Sequence, residues 1–380
     1  MSSPGSTASL RSANQQRVIE VLRGGGVVTQ AGLARRTGLA PATVSKIVRD
    51  LGAAGLVTTE PGSGRRGTTV VLARAAGLVA GIDFGHSHVA VAVGDLTGTL
   101  LAERRLALDS GHPHREGLDT AHRSLRELLD DVGASPDDVR SIGLGLPAPM
   151  TEGVVRSSAI LPGWVGVNAH DAVRERFRAT VHVENDANLG ALAEHRCGVA
   201  RGHDNSVFVK VSSGVGAGIV LDDRLFHGSG GTAGEIGHLT LDEAGPVCRC
   251  GSRGCLEAYT STGALQELME SALPGATTED IVAAARGGNV SALRALEDAG
   301  LHLGWALASV VNLINPALVV VGGEIARAGD LLLEPARIGL RRHALDAVAS
   351  TPVVASELGE RASLVGAVLL AAESTELLVD

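Results

Sequence analysis

Hydrophobic positions first become periodic at Asn14, where Val18, Ile19 and Leu22 fall on one helical face before Gly24-Gly25-Gly26 closes the segment. Residues 1–13, rich in Ser, carry no such stripe and read as disordered. Thr29 offers a side-chain oxygen to cap a short helix through Ala31, Leu33 and Ala34 that stops at Gly38. Pro41 suits the first position of a third helix, where its missing N–H costs nothing. In that helix Val44, Ile47, Val48 and Leu51 form an i, i+3, i+4, i+7 stripe. The other face carries Ala42, Thr43, Ser45, Lys46 and Arg49. After Gly55, Leu56–Thr59 and Thr68–Leu72 can pair as a hairpin around a Pro61–Gly67 tip. The pattern predicts a winged helix–turn–helix over residues 14–75. Its third helix would enter a major groove through Pro41, Ala42, Thr43, Ser45, Lys46 and Arg49, while Arg65 and Arg66 on the wing reach phosphates or a minor groove.

From Leu78 the period changes to short apolar strands. Leu78–Asp83 leads into Asp83-Phe84-Gly85-His86-Ser87, and strands Val89–Asp95 and Thr99–Leu106 follow. Ser206–Val211 leads into Ser212-Ser213-Gly214-Val215-Gly216-Ala217-Gly218, and Ala317–Val321 into Gly322-Gly323. Glycine at a strand end lets backbone N–H groups approach a phosphate or a sugar; any one such loop also fits a plain turn, and three together point to a ligand. The body is therefore an α/β unit over 78–380, expected as two lobes with a C-terminal helix returning to the first.

Charge divides the chain in the same place. Residues 1–75 hold ten Arg or Lys against three Asp or Glu, a net +7, and the remainder carries −16. A basic head on an acidic body suggests duplex DNA as partner of the head alone. No run approaches the ~20 apolar residues needed to span a bilayer, and the start lacks a signal-peptide core, so a cytoplasmic protein without membrane partners is expected.

Cys248, Cys250 and Cys255 fall within eight residues, with His238 ten residues upstream and Cys197 standing apart. Three thiols and an imidazole make a closed tetrahedral zinc set, structural because no position remains for water. Acids and amides bracket it: Glu184-Asn185-Asp186-Ala187-Asn188, Glu235 beside His238, and Glu257 after Cys255. Such groups hold sugar hydroxyls, and Asp186 could also serve as base toward a γ-phosphate.

The segments Gly81-Ile82-Asp83-Phe84-Gly85, Gly143–Pro149, Glu184–Asn188, Gly234–His238 and Cys248–Glu257 together resemble the ROK family of repressors, open reading frames and sugar kinases. The resemblance covers residues 78–380, and with its head the whole chain is similar to the xylose-repressor-like regulator branch. It implies an actin-like fold of two ribonuclease-H-type lobes, a sugar in the cleft, and a homodimer or homotetramer. It assigns sugar contacts to Asn185, Asp186, Glu235, His238 and Glu257, with Asp186 the base if a kinase is active, and zinc to His238, Cys248, Cys250 and Cys255. Asp83, Gly85 and Ser87 match the first phosphate loop, and Ser213, Gly214, Gly216 and Gly218 the second.

The departures decide between the two functions the family holds. His86 and Ser87 replace the Gly-Thr usual in the kinases' first loop, Ser212 and Ser213 replace the leading Gly-Thr of the second, and Ile160 occupies the place of a sugar-holding Asn. An imidazole at position 86 is expected to crowd a phosphate. The expected protein is a sugar-responsive repressor with structural zinc and a degenerate ATP site; the alternative is an ATP-dependent sugar kinase that keeps a DNA-binding head.

Overall fold

The computed structural model describes residues 7–24, 27–60, 67–156, 158 and 160–378. Helix α1 (Thr7–Arg23) begins seven residues before Asn14, so residues 7–13 are helical and not disordered as expected. The extra turns have no apolar stripe; Arg11 is instead paired with Asp50 at 2.9 Å, a tertiary contact that local pattern cannot reveal. Strand β1 (Val28–Thr29) precedes α2 (Gln30–Thr37), whose cap is Thr29 Oγ1 accepting from Gly32 N at 3.0 Å. Gly38 ends it at φ 71°, a conformation that favours glycine. Helix α3 (Pro41–Ala53) buries Val44, Ile47, Val48 and Leu51. Strands β2 (Val57–Glu60) and β3 (Thr69–Leu72) form the wing, with β1 on the far side of β3. Arg65 and Arg66 lie outside the described residues.

The body is one topology used twice. Strands β4 (Leu78–Phe84), β5 (His88–Asp95) and β6 (Leu100–Ala107) lead through α4 (His114–Asp131) to β7 (Val139–Leu146). A small hairpin, β8 (Met150–Thr151) and β9 (Val154–Val155), and α5 (Ala169–Arg174) lead to β10 (Thr180–Asn185) and α6 (Asp186–Cys197). The second lobe repeats the plan with β11 (Ser206–Val211), β12 (Val215–Leu221) and β13 (Arg224–Leu225), then α7 (Glu257–Thr260), α8 (Thr262–Met269), α9 (Thr278–Arg286) and α10 (Val290–Ile314). It closes with β14 (Leu318–Gly322), α11 (Asp330–His343), β15 (Val353–Ala355) and α12 (Ala362–Ser374). The sheet orders β10-β7-β4-β5-β6 and β15-β14-β11-β12-β13 are equivalent, each with its first three strands antiparallel and the last two added in parallel.

Each lobe's closing helix crosses to the other lobe. On α6, Gly190 lets the helix sit against the Phe208 ring of β11. Helix α12 lies on the first sheet so closely that a Cβ at Gly143 would stand 1.9 Å from Ala367 O. The helices also meet each other: a Cβ at Gly366 would stand 2.0 Å from Leu189 O. Ser141 Oγ in β7 donates to Ala371 O at 2.8 Å, fixing α12 to the sheet. One apolar core joins Val18, Ile19 and Leu22 of the head to Val79, Ala92, Val368, Ala371 and Leu377 of the body. Among the described residues, no helix is long and apolar enough to cross a membrane.

Candidate functional site

On α3 the expected DNA-reading face is free of the core: Pro41, Ala42, Lys46 and Arg49 are exposed, and Thr43 and Ser45 half-buried. The slim residues lead and the cations follow, which suits a helix whose first turn enters a groove.

Between the lobes lies a cavity of about 540 Å³. It gathers Asp83, Gly85 and Ser87 from the first lobe, Asn185 and Asp186 from the start of α6, and Ser213, Gly214 and Gly216 from the β11–β12 turn. Glu235, His238 and Glu257 line the same space. Segments 100 residues apart meet because both sheets present the ends of their central strands to one cleft, where open α/β sheets bind ligands.

Several of these groups are already engaged. Asn185 Oδ1 caps α6, accepting from Ala187 N at 2.9 Å and Asn188 N at 3.3 Å, which leaves its amide N–H groups for a ligand. Glu257 is buried, accepting from Val215 N at 2.9 Å and from Arg249 Nε at 2.7 Å. Arg249 also donates to Ser213 O, so one guanidinium between two of the cysteines pins the second loop. Ser212 Oγ accepts from Glu324 N at 3.0 Å, a backbone tie that uses one lone pair and leaves the O–H to donate. Burial pushes the Glu235 carboxyl up, against His238 and with Asp186 and Glu257.

The first loop is filled by imidazoles. His86 lines the cleft, with its Nδ1 2.9 Å from Ile160 O. His88 adds to the crowding, its ring standing 2.0 Å from where a Cβ on Gly85 would be. Burial pushes His88 down to about 3, with Arg105 and Lys210 adding, so the ring is neutral. Ile160 packs over Gly214, where a Cβ would meet its Cδ1 at 2.5 Å.

The sequence reading gave no weight to Lys210, Arg105 or Arg249, all in the cavity wall. Lys210 Nζ donates to Asp186 Oδ2 at 2.7 Å and to Ser363 Oγ at 3.0 Å. Burial pulls its pKa down, but Asp186 and Asp83 outweigh this and raise it. Asp83 is pushed up to about 6 by burial, with Lys210 opposing and Asp186 reinforcing. The available signal was a lysine inside an otherwise apolar strand.

Beside the cleft, one donor atom each from His238, Cys248, Cys250 and Cys255 lies within 4.8 Å of the others. Cys250 Sγ and Cys255 Sγ are 3.8 Å apart, and Cys248 Sγ and His238 Nδ1 also 3.8 Å. A tetrahedral zinc with bonds of about 2.3 Å to sulfur sets its sulfurs about 3.8 Å apart, so the donors fit such an ion. Because Nδ1 faces the thiols, Nε2 of His238 is left for the cleft.

A family model of the ROK family matches residues 79–374, and one of the MarR family residues 14–66. The xylose repressor of Bacillus subtilis (strain 168) is 28% identical, over 94% of this chain and 94% of its own. The DNA-binding transcriptional dual regulator NagC of Escherichia coli (strain K12) is 30% identical, over 95% of this chain and 92% of its own. Among solved structures, a ROK family transcriptional regulator, a homolog of the E. coli MLC protein, superposes with TM-score 0.78 at 26% identity, covering 95% of this chain and 96% of that one. A ROK family glucokinase from Streptomyces griseus, in complex with glucose and AMPPNP, gives TM-score 0.69 at 30% identity, over 78% of this chain and 100% of its own. An N-terminal MarR-type winged helix domain is thus joined to an actin-like, sugar-kinase-type fold, and the chain belongs to the ROK family.

Proposed function

We propose that the protein is a sugar-responsive transcription regulator, a repressor of carbohydrate-utilisation genes, in which residues 14–75 read operator DNA and residues 78–380 sense the sugar. The observation that carries this reading is the continuity of α12 from cleft to head. At its start Ser363 Oγ donates to Asp186 O at 2.8 Å and accepts from Lys210. At its end Arg23 of α1 donates to Glu373 O at 3.0 Å and to Thr375 O. Arg196, at the end of α6, pairs with Glu373 at 2.7 Å. Helix α12 therefore begins at the ligand cleft and ends at the head, about 20 Å away at 1.5 Å per residue, while α6 begins at the cleft and ends against the last turn of α12. Their glycine-mediated contact leaves no slack between them.

A sugar held by Asn185, Asp186, Glu235, His238 and Glu257 would favour one closure of the lobes. In a homodimer or homotetramer that closure would reset the spacing of two recognition helices and release the operator. Zinc held by His238, Cys248, Cys250 and Cys255 would supply a fixed, redox-inert staple for the cleft wall. The drifted phosphate loops, filled by His88 and tied through Ser212, support a sensor over an enzyme. The similarity to repressors named for xylose and N-acetylglucosamine, and to a kinase solved with glucose, supports a pentose or hexose as effector.

The test is selection of duplexes from a random pool by the full chain, followed by calorimetry with a panel of pentoses and hexoses. Recovery of a two-half-site motif together with saturable binding of one sugar is the expected result. A chain that selects no motif, or binds none of the sugars, contradicts the reading.

A further inference from the structure

Lysine is scarce here: of 33 basic residues only Lys46 and Lys210 are lysine. Lys46 is on the recognition helix, whereas Lys210 reaches the cleft from within β11. An arginine would bring a planar fork to that place; lysine brings a compact point charge with three donors. Two of the donors are accounted for by Asp186 Oδ2 and Ser363 Oγ, at 2.7 and 3.0 Å. Asp83 lines the same cavity; it is only 3% exposed, and its Oδ1 has no hydrogen-bond partner among the described residues. Two carboxylates turned into one buried cleft are the donor set of a hard divalent cation. Here the chain supplies the positive charge itself.

We propose that the Lys210 ammonium, ion-paired with Asp186, is the resident cation of this cleft in place of a divalent ion that Asp83 and Asp186 would otherwise hold, and that the cleft therefore takes a neutral polyhydroxy ligand without metal instead of a metal–phosphate complex. The ligand class rests on the sugar reading above; the claim about the cation does not. Asp186 is fixed by Lys210 through Oδ2 and by Ser363 through its backbone oxygen, so its remaining oxygen serves as an oriented acceptor for a ligand hydroxyl. The ammonium persists at neutral pH, because Asp186 and Asp83 outweigh the burial that opposes its charge.

The experiment is an electron paramagnetic resonance titration of the full-length, zinc-loaded protein with Mn²⁺, which needs no sugar. The wild type is expected to show no Asp83-dependent site with Kd below the order of 1 mM. Lys210→Met should gain one site, bound at least about tenfold more tightly, that a further Asp83→Asn removes, while Lys210→Arg gains none. Lys210→Gln, which keeps hydrogen bonding and loses only the charge, repeats the test if the Met variant unfolds. An Asp83-dependent Mn²⁺ site in the wild type overturns the proposal, as does a folded, zinc-loaded Lys210→Met or Lys210→Gln chain that gains none. Sugar binding that requires Mg²⁺ overturns it too; failure of every sugar to bind, with the Mn²⁺ pattern intact, overturns the ligand class alone.

Discussion

Replacing Arg23 by methionine cuts the head from α12 while keeping the length and apolar stem of the side chain. Arg23 donates to Glu373 O at 3.0 Å and to Thr375 O, the carbonyl end of α12, where a cation is also favoured by the helix dipole. Hydrogen bonds from a charged donor contribute about 1.5–3 kcal/mol each, and partial solvent screening at this half-buried place brings the pair to about 2–3 kcal/mol. If that contact differs between the lobe-closure states, it can carry up to about 30–150-fold of the coupling between ligand and DNA. Fluorescence anisotropy of a labelled operator, with and without sugar, reads the coupling, and calorimetry reads sugar affinity alone. Arg23→Met leaves every sugar contact in place, because no cleft residue is touched, so saturable sugar binding should persist. The sugar-dependent change in operator affinity should fall at least about tenfold. A variant that keeps the full sugar response would refute the routing through α12.

Four further outcomes follow from the same structure. Lys46→Ala or Arg49→Ala should weaken DNA binding and lower the salt slope by about one per lost phosphate contact, leaving sugar binding alone; unchanged gel shifts would remove α3 from the DNA interface. Cys250→Ser should lose zinc and sugar response together, and a zinc-loaded, responsive variant would separate the two. Asp83, at about 6 in the folded chain against an ordinary 3.8, binds its proton more tightly when folded. Its ionised form therefore costs about 3 kcal/mol above pH 6, a cost relieved as pH falls from 6 to 4. Asp83→Asn should raise the thermal midpoint at pH 8 and lose that advantage by pH 4; a gain independent of pH would mean another cause. Incubation with ATP and the sugar panel should yield no sugar phosphate, and stoichiometric turnover would move the chain to the kinases.

What could be read from the chain alone was what is local. Thr29, Gly38 and Pro41 mark helix ends by their own chemistry, so α2 and α3 were legible within a residue or two. The grouping of His238 with three thiols was legible because three of its four members fall within eight residues. Long-range contacts were not. The first turns of α1 lean on Asp50, and β1 is a two-residue strand held only by β3. Lys210 looked like one polar residue in a strand, and its meaning depends on Asp186 and Ser363, which lie 24 and 153 residues away. Asn185 was read as a ligand contact, yet half of its amide caps α6. His88 falls between the loop and the strand read from Val89, and only the folded hairpin brings its ring over Gly85.

If cleft and head are thermodynamically linked, the linkage is reciprocal. Calorimetry of the effector sugar, run on the free protein and again on the protein saturated with its operator, tests it most directly. The operator should weaken sugar binding by the same factor by which the sugar weakens operator binding, about tenfold or more. Equal sugar affinities in the two titrations would contradict it.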